Sequence, residues 1–154
     1  MVIRLSSSAF EQGHKIPPQY TCDGVDDSPP LQWEHVPSEA ISLALICDDP
    51  DAPAGTWTHW LVYNIPPEIQ ALPEGVPMVE TLSFGAHQGM NSFRRIGYGG
   101  PCPPRGNSHR YFVKLYALDR KLDLQPGASK QQVEAALAGH VVGEGQLMGV
   151  YQRG

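Results

Sequence analysis

Glycine and proline interrupt this chain from end to end and restrict what it can fold into. The 154 residues include 16 glycines and 15 prolines, whereas an ordinary chain carries about 12% of the two together. Proline lacks the backbone N–H that helices and central strands use, and glycine favours turns. Long helices therefore have little room. The composition predicts short strands connected by turn-rich loops.

The length predicts a single domain that covers residues 1–154. A domain of this size buries roughly 70% of the surface that its unfolded chain exposes, so its core needs neither disulfides nor a metal ion. The three cysteines are Cys22, Cys47 and Cys102, an odd number without C-x-x-C spacing. We therefore expect three free thiols in a reducing compartment.

The charge pattern excludes one class of partner. The net charge is −5 and no run of lysine or arginine occurs, whereas a nucleic-acid-binding protein presents a basic surface to phosphates. No stretch approaches the ~18 apolar residues of a transmembrane helix, and the first residues lack the apolar centre of a signal peptide. We expect a cytoplasmic protein that binds no nucleic acid and is not integral to a membrane.

Alternation of apolar side chains predicts strands at residues 41–47, 60–65 and 110–118, with weaker candidates at 2–5, 79–83 and 146–151. The segment 110–118 is apolar on both faces, which is typical of a central strand. Ser129 and Gln132 have the spacing of a capping box and predict one helix after them. Since loops rather than helices separate the strands, the pattern favours a mainly β fold, an antiparallel β-sandwich with one or two short helices.

Two carboxylates follow the first of these strands, in the run Asp49-Pro50-Asp51. A residue before proline is held extended, and residues two apart in an extended chain point to the same side. We therefore expect Asp49 and Asp51 to share a face. The alternative is an acidic turn that only ends the strand, since turns favour these residue types.

Histidines and a glycine-rich loop supply the other candidates. His59 lies next to Trp60 at the start of a predicted strand, where it is either a packed core residue or a functional one. In residues 97–104, glycines would let backbone N–H groups converge on an anion. His109 and Tyr111 follow on one strand face and suit a phosphate or carboxylate. The alternative is a glycine-rich surface turn.

The joint occurrence of these segments resembles the phosphatidylethanolamine-binding protein family. The segments are residues 49–53, His59, residues 99–101 and residues 109–111, in that order. The runs 97–104 and 115–119 are similar to the prokaryotic, Raf-kinase-inhibitor-like branch of the family. The resemblance extends from about Ser6 to the last residues. The chain departs from the family at Ser92, where an aspartate is usual.

The resemblance implies an antiparallel β-sandwich with Greek-key connections and a small anion pocket at one end. The candidate ligand-binding residues are Asp49, Asp51, His59, Gly99, Gly100, Pro101, His109 and Tyr111. The expected ligand is phosphate, phosphoethanolamine or a similar head group, bound without catalysis and without a cofactor. Some members inhibit kinases or serine proteases and many dimerise, so a kinase or protease partner and a homodimer are further expectations.

The expected mechanism uses hydrogen bonds to the anion. Amides of Gly99 and Gly100 would donate, together with the side chains of His59, His109 and Tyr111. Asp49 and Asp51 would accept from the imidazoles and raise the pKa of each histidine. The affinity is therefore predicted to fall as the pH rises.

Two other functions stay open at this point. A Ser/His/Asp-type hydrolase would need a nucleophile beside a histidine, for which Ser92, Ser108 and Cys102 are candidates, although no G-x-S-x-G motif is present. An Asp/His site for zinc or non-heme iron would use suitable ligand types, although no His-x-x-x-His spacing supports it.

Overall fold

Two antiparallel sheets and one α-helix form the structure, a computed structural model that describes residues 2–154. The elements in chain order are β1 (Arg4–Ser6), a 3-10 helix (Pro18–Tyr20), β2 (Leu31–Glu34), β3 (Ser42–Asp49), β4 (Trp57–Ile65), β5 (Ala71–Leu72), β6 (His87–Gln88), β7 (Ser108–Leu118), α1 (Lys130–Leu137) and β8 (Val141–Gln152). The predicted mainly β, antiparallel sandwich is confirmed. Within residues 2–154 no helix is long and apolar enough to span a membrane.

The strand order follows a Greek key. The small sheet has the order β1-β2-β5, and the large sheet has the order β6-β4-β3-β7-β8. Within the large sheet, β7 returns after a long connection and pairs with β3 on the side away from β4. The order β7-β3-β4-β6 is that of a Greek key. This connection brings the start of β7 next to the end of β3.

Burial on both faces of the large sheet explains its apolar central strands. All eight residues of β3 are buried. Leu43 and Leu45 belong to the main core, which also contains Trp33 of the small sheet. Ile46 points the other way, into a second cluster with Val133 of α1. The large sheet is thus covered by the small sheet on one face and by α1 on the other, and β7 is central as predicted.

The helix begins at the predicted capping box. The amide of Gln132 donates to Ser129 Oγ at 3.2 Å, and the amide of Ser129 donates to Gln132 Oε1 at 2.9 Å. One predicted strand, at residues 79–83, is wrong, because only Thr81 forms a bridge there. The strands β2, β5 and β6 were not predicted, since two to four residues show too little alternation.

The expectation of three free thiols is also wrong. Cys22 and Cys102 form a disulfide that joins positions 80 residues apart, and Cys47 is free and buried. The turn after the 3-10 helix lies against the glycine-rich loop, where the amide of Cys22 donates to Pro101 O at 3.1 Å. This packing brings the two cysteines together, and their spacing in the sequence does not reveal it.

Candidate functional site

A cavity of about 250 Å³ opens at one end of the large sheet, where β3 ends and β4 and β7 begin. Four of its lining side chains are polar: Asp49, His59, His109 and Tyr111. The other lining residues are Ala52, Pro53, Trp57, Phe93, Cys102, Pro103 and Pro104. The structure therefore brings four of the eight candidate residues together in the lining of one cavity, and the rest of the lining is largely apolar.

Asp49 and His109 form a buried pair across β3 and β7. His109 Nδ1 donates to Asp49 Oδ2 at 2.7 Å, and the two side chains are 6% and 3% exposed. The other carboxylate oxygen accepts from the amide of Asp51 at 2.7 Å. Both oxygens of Asp49 are thus used within the protein. The bond to Oδ2 orients the imidazole so that Nε2 is the nitrogen left for a ligand.

His59 is anchored in a different way. Its Nδ1 donates to the carbonyl oxygen of Gly99 at 2.6 Å, so Nε2 is again the nitrogen left for a ligand. Burial lowers the pKa of His59 below its ordinary value, and the Gly99 carbonyl and the Asp49 charge only partly offset this effect. The expected rise in the His59 pKa is therefore wrong, because loss of hydration outweighs the nearby acceptors.

Tyr111 lies close to both histidines. Its ring is in edge contact with His59, with centroids 5.2 Å apart, and is stacked near His109 at 6.4 Å. The residue is 2% exposed, and burial raises the pKa of its phenol. Its hydroxyl is buried and, within residues 2–154, has no hydrogen-bond partner. Buried hydroxyls normally have a partner, so Tyr111 carries an unused donor and acceptor beside the cavity.

Asp51 does not share a face with Asp49. Its carboxylate accepts from Nε and Nη2 of Arg110, both at 2.9 Å, and from the Arg110 amide at 3.0 Å. These contacts, with the side-chain hydrogen bond as the largest cause, lower the pKa of Asp51 to about 2. Asp49 is the last residue of β3, so the alternation of an extended chain ends before Asp51. Asp51 thus lies outside the cavity lining, and its expected hydrogen bond to an imidazole is not present.

The glycine-rich loop lies behind the cavity and does not offer its amides to it. The amide of Gly99 donates to His59 O at 2.9 Å, and the amide of Gly100 donates to Asp26 Oδ1 at 2.9 Å. The carbonyl of Pro101 accepts from the amide of Cys22. The expected role of the two glycine amides as donors to an anion is therefore contradicted, since both are already used. The carbonyl of Gly99 instead orients His59.

Sequence comparison decides the family. The family model described as phosphatidylethanolamine-binding protein matches residues 6–152. The chain belongs to the phosphatidylethanolamine-binding protein family. It is 56% identical over 99% of its length to a UPF0098 protein of Methanothermobacter thermautotrophicus, all of which is covered. It is 49% identical over 99% of its length to a UPF0098 protein of Aquifex aeolicus, of which 90% is covered.

Two crystal structures of family members have the same fold. A phosphatidylethanolamine-binding protein homolog of Chlamydia trachomatis superimposes with a TM-score of 0.90 at 42% identity, over 99% of both chains. YbcL of E. coli, described as a member of the mammalian family, superimposes with a TM-score of 0.93 at 31% identity over the full length of both chains. The Greek-key sandwich is thus the fold of the family.

Aromatic residues of the cavity were not among the predicted site residues of this family member. Phe93 makes edge contacts with His59 at 5.6 Å and with Trp57 at 5.4 Å. Asn91 orients it, because its Oδ1 accepts from the amide of Phe93 at 2.9 Å. Ser92, at the position where an aspartate was expected, accepts from the amide of Thr58 through Oγ at 2.8 Å. The sequence offered a signal for Trp57, which lies two residues before His59, but none for Phe93.

The structure adds no support for the hydrolase or metal alternatives. Cys102 is disulfide-bonded and cannot act as a nucleophile in this form. Neither Ser92, whose Oγ accepts from the amide of Thr58, nor the exposed Ser108 lines the cavity. Among residues 2–154, no group of three or more His, Cys, Asp or Glu side chains is arranged to hold a metal ion.

Proposed function

We propose that this protein binds a small oxyanion, such as phosphate or a phospholipid head group, in the cavity and does not convert it chemically. The observation that carries the proposal is the buried, partnerless hydroxyl of Tyr111, whose ring contacts two histidines that both line the cavity. A bound oxyanion would supply the missing partner. The volume of about 250 Å³ suits a ligand smaller than the drug-sized molecules that fill pockets of about 300–1,000 Å³.

The protonation of His59 determines which form of the anion fits. In its neutral form the Nδ1 proton is donated to Gly99, so Nε2 carries a lone pair and accepts from a protonated oxyanion. Once His59 is protonated, Nε2 donates and adds a positive charge. Because burial lowers the pKa of His59, the neutral form prevails at neutral pH. Near pH 7 the proposal therefore favours an oxyanion that still carries a proton, such as hydrogen phosphate or a phosphomonoester monoanion, over one without a proton, such as a phosphomonoester dianion.

The test is a titration with phosphate and with phosphoethanolamine, followed by NMR of amides and histidine rings. We expect saturable shifts at His59, His109 and Tyr111. Tyr111→Phe should weaken binding roughly ten- to hundredfold, the loss expected for one hydrogen bond to a charged ligand. The matched control is His140→Ala, since His140 bonds Asp119 and does not line the cavity. Absence of saturable shifts at millimolar ligand would overturn the proposal.

The wider role of such binding is also a proposal. The bound oxyanion could belong to a kinase or protease partner, as the family resemblance suggests. A cytoplasmic location and a homodimer are also proposals. Cell fractionation and light scattering of the purified protein test these two points, and pull-down with and without free phosphate tests a partner bound through the cavity.

A further inference from the structure

The disulfide contributes directly to the cavity that the proposed function uses. Cys102 lines the cavity together with Pro103 and Pro104, and its partner Cys22 lies in the turn after the 3-10 helix. Both cysteines are exposed. Exposed disulfides are accessible to external thiols, whereas buried ones are protected. A solvent-accessible disulfide therefore forms part of one wall of the cavity.

Residues 102–104 form this wall, and hydrogen bonds hold the chain just before and just after it. Before it, the amide of Gly100 donates to Asp26 and the carbonyl of Pro101 accepts from Cys22. After it, the amide of Gly106 donates to the carbonyl of Arg153 at 3.0 Å. The wall lies between these two anchor points.

No such bond holds the wall itself. Two of its three residues are prolines and have no N–H to donate. Within residues 2–154, no hydrogen bond joins Cys102, Pro103 or Pro104 to a residue outside positions 102–107. Apart from the peptide bonds along the chain, the disulfide is thus the covalent link between this wall and the rest of the protein, and the buried Pro103 adds packing.

We propose that the Cys22–Cys102 disulfide is a thiol–disulfide exchange site whose reduction weakens anion binding in the cavity. The reductant is a dithiol. Its thiolate attacks one sulfur of the protein disulfide, and the other cysteine leaves as a thiolate and takes up a proton. The second thiol of the reagent then displaces the remaining cysteine, so two electrons and two protons pass to the protein and the reagent becomes a disulfide. The proposal rests on the proposed function above.

Reduction acts on affinity through order in the wall. In the oxidised protein the wall is already placed against the ligand. In the reduced protein the wall must become ordered during binding, and the entropic cost of this ordering lowers the affinity. Cys47 takes no part, because it is buried and burial raises the pKa of its thiol. The three cysteines thus divide into one exchangeable pair and one inert core residue.

The experiment measures the dissociation constant for inorganic phosphate by NMR before and after dithiothreitol. We expect reduction to raise the constant about three- to tenfold, the order of loss for a site that is no longer pre-ordered. The heteronuclear NOE of the Cys102 and Arg105 amides should fall, while those of Gly99 and Gly100 stay unchanged. Iodoacetamide should label Cys22 and Cys102 only after reduction and leave Cys47 unlabelled in the folded protein.

Two variants make the test specific. Cys22→Ser/Cys102→Ser should bind phosphate as the reduced protein does and be indifferent to dithiothreitol. Cys47→Ala keeps the disulfide and should respond to dithiothreitol as the wild type does. If the double variant does not fold, reduced and alkylated wild-type protein with a folded circular dichroism spectrum provides the same comparison.

The outcomes separate this inference from the proposed function. Equal phosphate affinity in the two redox states overturns only the effect of reduction on anion binding. A disulfide that dithiothreitol opens only after denaturation overturns the exchange site. If the oxidised protein does not bind phosphate, the proposed function itself is overturned, and with it the effect of reduction on binding.

Discussion

The Nδ1 atom of His109 lies 2.7 Å from Oδ2 of Asp49, and neither side chain is more than 6% exposed. The pair joins the end of β3 to the beginning of β7. Removing one member of a buried, hydrogen-bonded pair that includes a carboxylate leaves the other polar group without its partner, which costs more than the bond itself contributes. The pair therefore contributes to the stability of the fold, and both of its members line the cavity.

His109→Leu should reduce the free energy of unfolding by roughly 3–5 kcal/mol, because it leaves the Asp49 carboxylate buried without its imidazole. The double variant Asp49→Asn/His109→Leu should lose less than the two single variants together, by about 1 kcal/mol or more. Urea denaturation measures all four proteins. Strict additivity would show that the two side chains do not depend on each other.

Tyr111→Phe should leave stability within about 0.5 kcal/mol of the wild type, because the lost hydroxyl has no partner in the unliganded protein. Tyr98→Phe is the matched comparison. The Tyr98 hydroxyl donates to Tyr20 O at 2.7 Å and is also buried, so its removal should cost about 1–2 kcal/mol. Equal losses in urea denaturation would mean that Tyr111 has a partner in solution, for example water.

Asp51→Asn should leave phosphate affinity within about twofold of the wild type, since Asp51 lies outside the cavity lining and its charge is already paired with Arg110 at an exposed site. Its effect on stability should be at most about 1 kcal/mol, the usual range for a surface ion pair. Arg110 lowers the pKa of Asp51 to about 2. The contribution of the pair is therefore present above the ordinary value of 3.8 and is lost as the pH falls toward 2. A large loss of phosphate affinity would place Asp51 at the ligand.

Sulfate affinity should rise as the pH falls through and below 6.5, the ordinary pKa of histidine. Burial lowers the pKa of His59, so its protonation, which turns Nε2 into a donor, occurs on the acidic side of that value. Sulfate is the appropriate probe because its own charge is constant in this range, unlike that of phosphate. Calorimetric titration measures the profile. A flat profile between about pH 5 and 8 would show that the charge of His59 does not contribute.

Gly100→Ala should destabilise the protein by about 1–3 kcal/mol through overpacking. A Cβ atom there would overlap the carbonyl oxygen of Tyr20 and the carboxylate of Asp26. Gly99→Ala should cost less, because its Cβ meets the ring of Phe93, a side chain that can move. Thermal unfolding compares the two. A neutral Gly100→Ala that abolishes phosphate binding would restore an amide-donor role for this loop.

Local pattern was sufficient for part of the site. Residues two apart on a strand share a face, and this placed His109 and Tyr111 together on β7. The same rule was wrong for Asp49 and Asp51, because the strand ends at Asp49. The rule holds only where the backbone stays extended, and a sequence gives strand ends less clearly than strand centres.

Contacts between distant segments account for what the sequence did not reveal. The amide of Gly100 is used by Asp26, 74 residues away, and Cys102 pairs with Cys22 across 80 residues. Phe93 reaches the cavity through a turn that Asn91 organises. None of these partners can be read from spacing along the chain. They depend on how the loops pack against one another in the folded protein.

The disulfide also has a consequence for the integrity of the polypeptide. It encloses the whole segment between positions 22 and 102, which contains the exposed turn around Gly55. A protease that cut this turn would produce two fragments that stay covalently attached. On a denaturing gel they would separate only in the presence of a reducing agent. A molecule cleaved in this way would keep β3 covalently attached to the other four strands of the large sheet.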